Sequence, residues 1–149
     1  LINNYGEWYG LPYAICYFYN AFGPRENGVG KYATMIARFE RLYLSGKPMT
    51  VDLPGTQKRN FTYVKDLAKG MIMVAEKGTG DGYNLNNQNG YSVLEIAKAF
   101  GGDIVYRKKY SGRVDSGVIS NKARDELGWS TTLNILDYIE DFKNRVSTL

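Results

Sequence analysis

The stretch Tyr13-Ala14-Ile15-Cys16-Tyr17-Phe18-Tyr19-Asn20-Ala21-Phe22-Gly23-Pro24-Arg25 decides how the rest of the chain is read. Its first seven residues are apolar or aromatic with little alternation. They are too few for a core helix between flanking turn residues, and they are rich in strand formers. The pattern predicts a buried strand paired in parallel with its neighbours. It runs into a loop dense in glycine, Asn20 to Gly30. Upstream, Leu1 to Tyr9 reads as the last turns of a helix stopped by Gly10 and Pro12.

Working outward, residues 31–44 carry Tyr32, Met35, Ile36, Phe39, Leu42 and Tyr43 at spacings of three and four, which predicts a helix ended by Gly46 and Pro48. A short strand is expected over 49–52 and another over 60–63. A further helix is expected over 64–77, with Val64, Leu67, Ala68, Met71, Ile72 and Ala75 as its buried stripe and Asp66 in its first turn. A strand over 82–86 follows. Ser92 and Glu95 form a capping box, opening a helix that carries Val93, Leu94, Ile96, Ala97 and Phe100. A strand at 103–106 leads into a polar stretch over 107–117. Two helices close the chain, one over 121–127 and one starting at 132 or 133 that carries Leu136, Ile139, Phe142 and Val146. Helices alternating with short strands make this an α/β chain, one domain at 149 residues. No glycine-rich GxGxxG loop follows a strand.

Composition excludes several chemistries. The chain has no histidine, which removes Ser-His-Asp and Cys-His catalysis, and its one cysteine, Cys16, removes an internal disulfide and a cysteine zinc site. No acidic spacing suggests a metal site, so none is assigned. The charge of +4, from 19 Lys+Arg against 15 Asp+Glu, is modest. The basic runs Lys58-Arg59 and Arg107-Lys108-Lys109 fit a small phosphate-bearing ligand as well as a nucleic-acid backbone, and no nucleic-acid partner is expected. No apolar run reaches membrane-spanning length and the first residues lack signal-peptide features, so a cytoplasmic, reducing setting is expected.

Five segments, in register across nearly the whole chain, resemble one family. They are Tyr17 to Arg25, Gln57 to Ala68, Tyr83-Asn84-Leu85-Asn86, Ser92 to Ala97, and Asn121 to Trp129. Their order is similar to that of the extended short-chain dehydrogenase/reductases, the NAD-dependent sugar-nucleotide epimerases and dehydratases. The resemblance implies an NAD(P)-binding Rossmann-like α/β fold. It is taken as covering the carboxy-terminal part only: the last Rossmann elements plus the small substrate-binding lobe, over residues 1–149. The amino-terminal cofactor-binding half, with its glycine-rich loop and Tyr-x-x-x-Lys pair, is then absent.

On that reading the chain is the substrate-binding portion of a UDP-sugar 4-epimerase-like enzyme, inactive alone and without a catalytic residue of its own. A 4,6-dehydratase or decarboxylase is the alternative, and a non-catalytic nucleotide-sugar-binding module or half of a split enzyme is another. NAD is the implied cofactor of the complete enzyme. The implied partners are a nucleotide sugar and the missing amino-terminal half or a chain supplying it. Self-association is expected from a sheet cut open at its edge.

The resemblance also assigns site residues. Phe18 matches the position beside the nicotinamide, although a core aromatic is the other reading of that residue. Asn20 matches an asparagine against the substrate, where a turn-capping role is the alternative. Arg59 matches the arginine that reaches the diphosphate, a task for which a planar guanidinium is suited. Lys109 or Arg113 is expected to reach phosphate as well, in a segment where Tyr110-Ser111-Gly112-Arg113 and Ile119 depart from the family pattern.

Overall fold

The computed structural model describes residues 1–108 and 120–148. In chain order the elements are α1 (Ile2–Tyr9), β1 (Ala14–Phe18), β2 (Ala21–Phe22), α2 (Met35–Leu44), β3 (Met49–Asp52), β4 (Lys58–Asn60), β5 (Thr62–Tyr63), α3 (Val64–Lys77), β6 (Gly80–Leu85), β7 (Gly90–Ser92), α4 (Val93–Phe100), β8 (Ile104–Arg107), α5 (Lys122–Leu127) and α6 (Ile135–Ser147). The strands meet in pairs. β1 lies parallel to β6, with Cys16 opposite Tyr83 and Phe18 opposite Leu85. β2 is parallel to β5, β3 is parallel to β8, and β4 is antiparallel to β7.

Local chemistry sets the ends of several elements. Gly10 and Gly128 stop α1 and α5 in the left-handed conformation that glycine adopts without penalty. At α4 the Ser92 hydroxyl accepts from the Glu95 N–H at 3.1 Å and the Glu95 carboxylate accepts from the Ser92 N–H at 2.7 Å, closing the capping box. These hydrogen bonds hold the Glu95 carboxyl below its ordinary pKa.

Two buried clusters form. The larger joins α2, α4 and α6 to the β3–β8 pair through Ile36, Phe39, Val51, Ile96, Phe100 and Ile139. Its aromatic rings meet edge-on, Phe39 with Phe100 at 5.9 Å and Phe100 with Phe142 at 6.1 Å between centroids. The smaller cluster, Leu67, Val74, Tyr83, Leu85, Ala123 and Trp129, joins α3 and α5 to the β1–β6 pair.

Three expectations are corrected. The strand expected to be buried is β1, yet Tyr17 is 40% and Phe18 50% exposed. Among the described residues β1 pairs along one edge only, with β6. Of the stripe expected to be buried on α3 only Leu67 is: Val64, Ala68, Met71, Ile72 and Ala75 are exposed, and the buried side is Asp66, Leu67, Gly70 and Val74. The cause is Gly70. A Cβ there would lie 2.6 Å from Trp129 Nε1 and 2.7 Å from a Leu85 methyl, so the bare backbone of the glycine face allows the close approach. Third, Tyr32 precedes α2 and is 81% exposed rather than packed on its stripe. The short strands β2 and β7 were not expected; their side-chain patterns are too brief to show a period.

Candidate functional site

The carboxyl ends of β1 and β6 converge with the β4–β5 corner. Asn20, directly after β1, adopts a left-handed backbone at φ 43°, which asparagine tolerates better than most side chains. Its side-chain amide donates to the Asn60 carbonyl at 3.2 Å, and its own carbonyl accepts from the Thr62 N–H at 3.3 Å. Residue 60 is therefore held by Asn20 and is covalently next to Arg59. Two of the expected contact residues are thus brought to one corner by a side-chain hydrogen bond spanning forty positions of sequence. Arg59 is half-buried on β4, opposite Tyr91 of β7.

Behind this corner lies a buried amide relay. Asn60, 7% exposed, donates from Nδ2 to the Asn87 carbonyl at 2.8 Å, and the Asn87 N–H donates to Thr62 Oγ1 at 2.9 Å. Buried polar groups that find partners in this way rigidify the backbone they join. The relay locks the loop after β6 to the strands that carry Arg59. Sequence reasoning assigned no site role to Asn60, Thr62 or Asn87, because their roles come from tertiary contact.

Phe18 closes β1 beside Leu85, half exposed and therefore with an open ring face rather than a core position. Lys109 and Arg113 lie outside the described residues. Of the neighbouring basic residues, Arg107 is engaged: it forms an ion pair with Asp52 at 2.9 Å across the β3–β8 pair. Lys108 is exposed.

Asp66 is structural in geometry. Its carboxylate accepts from the Thr132 N–H and hydroxyl, both at 2.7 Å, and its carbonyl accepts from the Trp129 indole N–H at 2.8 Å. In the loop after Asn20, burial pushes Glu26 up to about 7, with the Glu40 charge adding to the effect. Glu40 itself accepts a hydrogen bond from Tyr138 at 2.8 Å, and burial raises both of these groups. Among the described residues no group of three or more His, Cys, Asp and Glu side chains could hold a metal ion. No described helix is long and apolar enough to cross a membrane.

A family model described as "NAD dependent epimerase/dehydratase family" matches residues 1–86. The chain belongs to that family. It is 25% identical, over 99% of its length and 46% of the relative's, to UDP-glucuronic acid decarboxylase 3 of Arabidopsis thaliana. It is 31% identical to UDP-glucose 4-epimerase of Bacillus subtilis, over 86% of this chain and 45% of that one. Among solved structures it is similar to a UDP-glucuronic acid 4-epimerase from Bacillus cereus in complex with UDP-glucuronic acid and NAD, at 23% identity and a TM-score of 0.79, covering 97% of this chain and 49% of that one. The chain spans about half the length of the curated relatives it matches. NAD is the cofactor of this epimerase/dehydratase family, and the fold is its Rossmann-like α/β architecture.

The placement of the match corrects the narrower expectation. It occupies the amino-terminal 86 residues of the chain, from α1 to the end of β6, and so takes in the parallel β1–β6 pair rather than the later elements β7, α4, β8, α5 and α6. The assignment to the carboxy-terminal part alone, with an absent amino-terminal half or a partner chain in its place, is overturned by that finding. With it fall the description of the chain as only a substrate-binding portion, its inactivity alone, and the self-association argued from a cut sheet.

Proposed function

We propose that this chain serves an NAD-dependent epimerase or dehydratase reaction on a nucleotide sugar, with the diphosphate gripped at the Asn20–Arg59 corner. The observation that carries this reading is the hydrogen bond from the Asn20 amide to the residue following Arg59, at the carboxyl end of a parallel strand. Ligands of open α/β sheets bind at those strand ends. Arg59 offers a guanidinium able to meet two phosphate oxygens at once, and the Asn20 amide offers a neutral group suited to a sugar hydroxyl. Phe18 would seat the nicotinamide against its exposed ring. NAD, when bound, supplies the hydride acceptor. Lys109 and Arg113 are carried as further phosphate ligands on the strength of the sequence alone, and a cytoplasmic setting belongs to the same reading.

The test is calorimetric titration of the chain with UDP, then with UDP-glucose in the presence of NAD. Arg59→Met should weaken UDP binding by about tenfold or more, the loss of a charge-assisted contact. Unchanged affinity would remove Arg59 from the site. Epimerase and decarboxylase are separated by incubating with UDP-glucuronic acid and NAD: a product of unchanged mass supports the epimerase, and release of carbon dioxide the decarboxylase.

A further inference from the structure

A second site lies beyond the Asn20–Arg59 corner, on the outer side of the amide relay. Where β6 ends, a cavity of about 200 Å³ opens between the strand and α5. Asn84, Asn87, Gln88, Asn121, Arg124 and Trp129 line it, and neither Asn20 nor Arg59 does. It adjoins a shallower hollow walled by Tyr17, Tyr19 and Asp81, and Asn84 and Ser120 belong to both.

The chemistry of the walls is unusual for a gap in packing. Amides dominate, one guanidinium is present, and no carboxylate among the described residues lines the cavity. Asn84 is only 7% exposed, and its side-chain amide has no hydrogen-bond partner among the described residues. Its amide opens on the cavity, where it is free to meet a ligand. The surrounding parts are fixed. Asn87 is tied through its main chain to Asn60 and Thr62, and the Trp129 indole is pinned to the Asp66 carbonyl. The Gln88 amide, with its oxygen turned to Arg124, accepts from both terminal guanidinium nitrogens at 3.1 and 3.3 Å, which orients the cation at the mouth.

We propose that this cavity binds a small polyhydroxylated anion of single-ring size, a sugar bearing a phosphate or a carboxylate. The Asn84 amide offers a donor and an acceptor side by side, which matches adjacent hydroxyls on a ring. Arg124 meets the anionic group. The exposed faces of Tyr17 and Tyr19 extend the surface for a larger glycan portion.

The experiment titrates the whole chain with glucose 1-phosphate, glucuronic acid, glucose and inorganic phosphate, following amide shifts by NMR. Glucose 1-phosphate or glucuronic acid should bind and shift Asn84, Gln88 and Arg124, and whichever binds tighter names the anionic group. Arg124→Met, an exposed position where folding is not at stake, should weaken that binding by about tenfold. Asn84→Leu should weaken it too while leaving the melting temperature unchanged, because the amide faces the cavity and holds no bond on which the fold depends. A structural asparagine would behave oppositely, losing stability, and that result would overturn the proposal. So would binding of inorganic phosphate as tight as that of the sugar anions, or no binding by any of them. The two sites are separable: Arg124→Met should leave UDP affinity intact, and Arg59→Met should leave sugar-anion affinity intact. If Arg59→Met abolished both, the cavity would not be a site of its own.

Discussion

The two buried clusters of this molecule are built by different means. The larger one closes on itself, with three helices pressing Phe39, Phe100 and Ile139 to near-zero exposure against β3 and β8. The smaller one is closed on one side only. Behind Tyr83 and Leu85 it is packed by Leu67, Val74 and Trp129, while the outer face of α3 and the end of β1 stay open. The difference separates labour: the closed cluster holds the chain together, and the open one leaves the end of β1 and the outer face of α3 uncovered. The stability of the first should be insensitive to changes that alter binding at the second.

The sharpest way to break this contrast is Phe100→Ala. Phe100 is fully buried and contacts Phe39, Tyr43 and Phe142, so its truncation should cost about 3–5 kcal/mol in chemical denaturation. A loss below 1 kcal/mol would mean that the large cluster is not the stabilising one. Next is Gly70→Ala. The added methyl meets Trp129 and Leu85, and overpacking should cost about 1–3 kcal/mol and shift tryptophan fluorescence as the indole moves. A neutral outcome would show that the seam between α3 and β6 yields easily.

A smaller effect is expected at the edge of the large cluster. Glu26 keeps its proton up to about 7 in the folded chain, whereas its ordinary value is 4.5, so the folded state binds more protons between those values. Stability contributed by the protonated carboxyl is full below pH 4.5 and is lost as pH rises toward 7. Glu26→Gln should therefore melt above the parent by about 3 °C at pH 8 and level with it at pH 4, a shift scaled down for the half-exposed position. An equal difference at both pH values would deny Glu26 the role. The smallest effect should come from Ile72→Gln on the open face of α3, within about 0.5 kcal/mol. A large loss there would mean that the face is covered in solution.

Much of the architecture was legible because helices reveal themselves by period and cap. The limits of α3 matched expectation at both ends, the Ser92–Glu95 box opened α4 as read, and Gly128 stopped α5. The orientation of α3 was not legible: a hydrophobic stripe was visible, but the close-packed side was chosen by a glycine, which has no hydrophobicity to detect. At the candidate site, Asn20 and Arg59 could be named from the resemblance, and their shared corner could not. The hydrogen bond that joins them crosses from the end of β1 to β4, and no local pattern encodes it.

By itself the sequence determined the alternation of helices and strands, their caps, the exclusion of histidine chemistry and the family likeness, since each follows from residues near one another in the chain. Only the tertiary structure decided which face of α3 is buried, that Asn60, Thr62 and Asn87 form one relay, and that Asn84 stands unpaired before a polar cavity. Those are consequences of long-range packing, in which the partner of each group lies dozens of residues away and its burial depends on what the rest of the fold leaves uncovered.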